Sequence, residues 1–266
     1  MTKWKLGFAA AALIALPLSL QAAPTGDKAL DAAIAAPDRD AAARARDGAR
    51  HPGESLKFWG LKPGMTVVEI SPGGGYWSEI LAPYAKNTNG RYTAVMGRAG
   101  QTLPAKFADK GKYGEIRYAV FGGALAPAGS ADFVMTARNV HNWMGNPGGV
   151  EKAMRDFYAA LKPGGVLGVE EHRADPRAMK PGASDGYVST ATVIEAAQKA
   201  GFKLEERSEI NANPKDTKDH PFGVWTLPPS RQSAADGQQP APGFNRAKYD
   251  AIGESDRMTL RFRKPA

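Results

Sequence analysis

The sequence predicts an α/β fold with a mostly parallel sheet covered by helices. Three observations carry this reading. Short β-branched runs alternate with stretches of helical length and periodicity between residues 65 and 210. The first such run, Met65 to Ile70, is a near-continuous apolar segment, as expected of a strand buried on both faces. A glycine-rich turn, Ser71-Pro72-Gly73-Gly74-Gly75, then joins that strand to a helix. Strand–helix–strand units of this length close by right-handed crossovers, which keeps their strands parallel.

The amino terminus has the order of parts of a secretory signal peptide. Lys3 and Lys5 precede an uncharged apolar run, Leu6 to Leu20, and small residues follow at Ala22 and Ala23. Residues 1–22 are therefore expected to be a cleavable leader, with a periplasmic or secreted mature chain starting at Ala23. The run is short for a bilayer span and contains Pro17. The mature chain, 23–266, is expected to form one domain, and it contains no other segment apolar enough to span a membrane. With no cysteine anywhere, disulfides and thiolate metal sites are excluded.

Residues 23–52 read as a helical extension, with one helix ending at Pro37 and a second from Arg39 to Ala49. A short helix, Glu54 to Trp59, leads to the turn Gly60-Leu61-Lys62-Pro63-Gly64. Strands are expected at Met65–Ile70, Arg91–Met96, Glu115–Phe121, Ala131–Thr136, Val166–Glu170, Phe202–Ile210 and Arg257–Arg263. Helices are expected at Tyr76–Tyr84, Val150–Leu161 and Thr190–Ala200, the last closed by Gly201. A long Pro-, Gly-, Asn- and Gln-rich insertion, 211–255, precedes the last strand. Segments of that length are usually functional or disordered. Asn211 to Pro229 is expected to order over the ligand mouth, and Arg231 to Phe244 to be mobile.

Glycines after a buried strand let the backbone turn sharply and approach a ligand, while the next helix presents free N–H groups. A nicotinamide-binding turn would place a glycine where Ser71 stands and an acid after the second strand, where this chain has Met96. Glu69, two residues before the turn, suits instead a ligand bearing an ammonium group and hydroxyls.

The stretches VVEISPGGGYWSEIL, ADFVMTARNVHNW, LKPGGVLGVEEH and DGYVSTATVIEAAQKAGFKLEE together resemble the class I S-adenosylmethionine-dependent methyltransferases, in that family's order. RNVHNW, INANPKDTKDHPFGVWTLPPS and GESDRMTLRF are similar to a group of exported predicted methyltransferases. The resemblance implies a Rossmann-like seven-stranded sheet of order 3-2-1-4-5-7-6 with its last strand antiparallel. It also implies S-adenosyl-L-methionine as cofactor, held by Glu69, Ser71, Gly73, Gly74 and Gly75. The chain departs from the family at Met96 and Gly122, where acidic residues usually meet the adenosine.

Ligands of open α/β sheets bind beyond the carboxyl ends of the strands. Asn139, His141, Asn142 and Trp143 after the fourth strand should share that mouth with Glu170, Glu171 and His172 after the fifth. Asn139, His141 and His172 are the expected catalytic residues, a neutral imidazole being able to take a proton from an acceptor as a methyl group arrives. His141, His172 and a Glu are possible metal ligands by their chemistry, but no ligand spacing along the chain supports a site, so no metal is expected. The formal charge of +8 is scattered, unlike the basic face of a nucleic-acid binder, so a small-molecule substrate is expected and a nucleic acid is not. The leading function is methyl transfer to a small molecule. The alternative is an exported, non-enzymatic ligand-binding protein that keeps the fold, which the missing adenosine-side acids would favour.

Overall fold

The computed structural model describes residues 24–266, so the leader expected at 1–22 lies outside the described residues. Four short helices come first: α1 (Lys28–Ala35), α2 (Ala41–Arg44), α3 (Asp47–Arg50) and α4 (Pro52–Phe58). The single helix expected over Arg39–Ala49 is broken in two. Side chains anchor the chain on either side of the break. Asp40 caps α2 by accepting from the Ala42 N–H, Asp47 holds the Arg39 guanidinium at 2.7 Å, and Glu254 holds Arg46 at 3.1 Å.

The sheet follows, as β1 (Thr66–Ile70), α5 (Ser78–Asn87), β2 (Arg91–Met96), α6 (Lys110–Tyr113), β3 (Ile116–Val120) and β4 (Ala131–Ala137). Then come α7 (Val140–Trp143), α8 (Gly149–Ala160), β5 (Leu161–His172), α9 (Thr190–Lys199), β6 (Lys203–Ser208), α10 (Arg246–Ile252) and β7 (Arg257–Arg263). The seven strands lie in the order β3-β2-β1-β4-β5-β7-β6. β7 runs antiparallel to both β5 and β6, and the other pairings are parallel. Order and polarity are those implied by the resemblance. β5 is longer than expected, because Lys162-Pro163-Gly164-Gly165 is drawn into the strand rather than forming a separate turn. The four-residue α7 and the helix α10 were not foreseen, being too short or too polar to show a periodic apolar face.

Each face of the sheet carries its own core. Val68 and Ile70 of β1 join the apolar cluster that includes Met154, Phe157, Val193 and Ala197 of α8 and α9. Val67 packs on the opposite face with Ile80, Leu81 and Tyr84 of α5 and Leu30 of α1. The period-2 alternation of a strand puts Glu69 on that second face, against α5.

Trp59, fully buried after α4, joins these layers. Its indole N–H donates to the Leu260 carbonyl of β7 at 3.0 Å. The ring lies so close to Gly168 of β5 that a Cβ there would stand 2.7 Å from it. It also meets Trp77 edge-on at 5.8 Å. Trp59→Ala is expected to cost about 3–5 kcal/mol of stability, since it opens a void and removes the indole hydrogen bond to the Leu260 carbonyl. Urea unfolding checks this, and a loss under about 1 kcal/mol would show that the layers do not depend on it.

Candidate active site

The glycine turn begins where β1 ends. The Ser71 N–H still donates to Val95 of β2 at 2.9 Å, but Ser71 itself adopts a φ of +48° and Gly73 a φ of +58°. A serine in the left-handed region carries of order 1 kcal/mol of strain, which the surrounding turn must offset. A side chain at Gly73 or Gly74 would meet only open space, so the bare backbone faces the cavity there. Gly75 corrects the expectation. It is buried, and a Cβ on it would lie 2.6 Å from the Phe107 ring, so it serves helix packing rather than the cavity wall.

Glu69 lines the cavity with only 2% of its surface exposed. Its carboxylate accepts from the Ser78 hydroxyl at 2.9 Å and from the Tyr92 hydroxyl at 2.5 Å. Burial outweighs both bonds and pushes its pKa up to about 7.

The opposite side of the mouth is organised by Glu171. One of its oxygens accepts from the Val140 N–H at 2.5 Å and the His141 N–H at 3.2 Å. The other takes His141 Nδ1 at 3.0 Å and the His172 N–H at 2.8 Å. A carboxylate at this distance needs a donor, so the His141 tautomer that fits carries its hydrogen on Nδ1 and its lone pair on Nε2. His172 pairs through Nδ1 with the Ser255 hydroxyl at 2.5 Å, and burial holds its pKa well below the usual histidine value. The two rings lie 5.3 Å apart, and both line the cavity.

Asn139 also lines this mouth, but its amide is committed elsewhere. Nδ2 donates toward the carbonyls of Ile70 at 3.0 Å and Ala137 at 3.1 Å and toward the Thr136 hydroxyl at 3.2 Å. With only two hydrogens and three acceptors around them, that amide nitrogen splints β1 to β4 and has none left for a reacting group. No metal was expected from ligand spacing, yet the fold brings donor atoms of His141, Glu171 and His172 within 4.8 Å of one another. Spacing along the chain could not show this, because the donors come from two strand ends. Glu171 would have to give up some of its four hydrogen bonds to ligate an ion.

Between these two sides lies a cavity of about 420 Å³. The amino-terminal helices wall it with Ala43, Arg46 and Arg50, and the insertion covers it with Val224, Trp225 and Pro228 to Ser230. The Trp225 ring meets His141 edge-on at 5.9 Å. Gly223 permits this cover, since a Cβ there would lie 2.2 Å from the Asp185 carbonyl. Asp216 fixes the base of the insertion through Tyr187 at 3.0 Å, His220 at 2.8 Å and the Asp256 N–H at 2.8 Å. The stretch expected to be mobile is held at both ends, by Arg231 on Asp250 at 2.7 Å and by Phe244 stacked on Tyr249 at 5.2 Å. Sequence reasoning does not single out Arg50, Arg138 or Glu254, although Arg50 ends the basic run RARDGAR, Arg138 begins RNVHNW and Glu254 lies in GESDRMTLRF.

Residues 43–207 match the family model described as "Methyltransferase domain". Among solved structures the fold is similar to that of the 4+2 cyclase SpnF, at 16% identity over 82% of this chain and 80% of that one, with a TM-score of 0.55. It is similar also to phosphoethanolamine N-methyltransferase 2 of Haemonchus contortus, at 17% identity over 82% of this chain and 53% of that one (TM-score 0.53). A third is the Burkholderia thailandensis 1,6-didemethyltoxoflavin-N1-methyltransferase, at 13% identity over 86% and 80% (TM-score 0.51). The comparison with curated proteins finds no match.

Replacing Glu171 tests the organisation of the mouth. In Glu171→Gln an amide NH₂ would face backbone N–H donors, leaving buried groups unpaired at about 2–3 kcal/mol. Denaturant titration is expected to show that loss with secondary structure retained. A change under about 0.5 kcal/mol would mean that the carboxylate does not hold the loop.

Proposed function

The chain belongs to the methyltransferase domain family, and from that premise we propose that it transfers a methyl group from S-adenosylmethionine to a small-molecule acceptor. The observation that carries the reading is the two-sided cavity. Glu69 and the open Gly73–Gly74 backbone form one side, and a carboxylate-oriented His141 beside a neutral His172 forms the other. When bound, the cofactor supplies a methyl group activated by its sulfonium. Glu69 would hold its ammonium group, and the glycine turn would let its chain lie close to the backbone. The acids missing at Met96 and Gly122 fall outside the cavity lining.

The chain's residues then have separable tasks. His141 accepts the acceptor's proton at Nε2, and Glu171 stabilises the imidazolium that forms. Trp225 and the rest of the cover exclude water and restrict the acceptor's size. Methyl transfer is an in-line displacement, so positioning supplies much of the rate and the base adds most where the acceptor is a weak nucleophile. A cavity of about 420 Å³ suits a small molecule rather than a polymer.

Calorimetry with S-adenosylmethionine tests the assignment of Glu69. In the free protein its raised pKa favours the protonated form. That contribution to stability is complete below about 4.5 and is lost as pH rises through about 7. A ligand ammonium needs the carboxylate instead, so affinity is expected to rise between pH ~6 and ~7.5. Glu69→Gln keeps an acceptor for Ser78 and Tyr92 but should bind about 10- to 100-fold more weakly, without that pH dependence. Equal affinity in the two proteins would refute the assignment.

We also infer that the chain is exported, on the basic–apolar–small order of residues 1–22. Among the described residues no helix is long and apolar enough to cross a membrane. Mass spectrometry of a periplasmic extract should find a mature start at or near Ala23, and an intact Met1 in a membrane fraction would overturn the inference.

A further inference from the structure

Four guanidinium groups share one carboxylate beside the cavity. Glu254 accepts from Arg46 at 3.1 Å, from Arg50 at 3.0 Å and from Arg257 at 2.8 Å, and Arg138 stands 3.9 Å away. A second carboxylate, Glu170, lies 2.7 Å from Arg257 and is itself disfavoured as an ion by burial, while the adjacent Glu171 is engaged by His141. Even with both ionised, four positive charges face two negative ones. The other acids nearby are already engaged: Glu79 and Asp40, which also line the cavity, by Lys106, Glu79 by Arg39 as well, and Asp47 by Arg39 and the Tyr76 hydroxyl.

The imbalance converges on Arg50. Its side chain is buried and lines the cavity, its Nε is spent on Glu254, and its face lies 4.4 Å from the Tyr76 ring centre. Both terminal nitrogens, buried as well, lack any protein partner, and so does Arg138 Nε. A planar fork of paired donors left open in a low-dielectric wall matches a two-oxygen anion, and an unpaired buried charge is costly until such a group arrives.

We propose that Arg50, supported by Arg46 and Arg138, is the seat for one carboxylate or phosphate group of a ligand in the cavity. The seat lies between the glycine turn, reached through Tyr76, and the histidine pair, since Arg138 adjoins Asn139 at the same mouth. The acid can therefore come from the cofactor's amino-acid end or from an acidic acceptor. Only the choice between these sources rests on the methyltransferase reading.

Inorganic phosphate is the first probe, added to the purified protein. It should bind and raise the melting temperature, and Arg50→Gln should weaken that binding at least tenfold and remove the thermal shift. If Arg50→Gln fails to fold, Arg138→Gln should still weaken phosphate binding several-fold. Phosphate bound equally by wild type and the folded variant would overturn the seat. S-adenosylhomocysteine and methylthioadenosine, which lacks the amino-acid end, then separate the sources. Weakening of the first alone by Arg50→Gln assigns the seat to the cofactor's carboxylate. Unchanged binding of both, with phosphate binding lost, assigns it to an acidic acceptor. Should neither nucleoside bind wild type, the methyltransferase reading fails while the phosphate result still decides the seat.

Discussion

The carboxylate of Glu254 is the constraint on which the cavity depends. It precedes β7 at the carboxyl-terminal end of the chain, yet it gathers Arg46 and Arg50 from the amino-terminal helices. Without it those helices would bring unpaired cations against the sheet, and removing one partner of such a buried set typically costs 3–5 kcal/mol. Asn213 reinforces the joint by donating from its side chain to the Glu254 carbonyl at 2.7 Å. The neighbouring Ser255 holds His172. One short turn therefore sets both the wall of the cavity and one of its histidines.

Much of this was legible in the residues. The alternation of β-branched runs with helical stretches fixes the layers, because strands buried on both faces leave no polar period to misread. The glycine turn was legible for a similar reason, since local backbone demands are written locally. The two histidines could be placed at one mouth because neighbouring strands end together. What the residues could not show was allocation. Asn139 looks like a reactive amide until three acceptors are found around its nitrogen. Gly75 looks like part of a ligand cradle until Phe107 is found behind it. The arginine cluster was unreadable because its partners lie some 200 residues apart, as in Arg50 and Glu254.

The insertion between β6 and β7 shows how a polar, proline-rich segment can still be ordered. It buries a small apolar cluster, Val224 packed with Ala174 and Tyr187, and buried polar joints add to this. Asn211 donates to the hydroxyls of Ser55 and Thr259, both at 3.0 Å, and Lys218 pairs with Asp256 at 2.8 Å. Such joints are directional, so together with the cluster against which Trp225 packs they fix where that ring stands. A cover of this kind can change its side chains at the cavity while the joints beneath stay intact.

The walls of the cavity come from both ends of the chain and from its middle: Arg46, Ser71, His141, His172 and Trp225 all contribute. No contiguous fragment could hold a ligand there. A bound molecule thus bridges parts of the chain that would otherwise come apart separately, and its binding free energy adds to the opening cost of all of them. Occupancy would then be felt as slower hydrogen exchange across the whole sheet, not only beside the ligand.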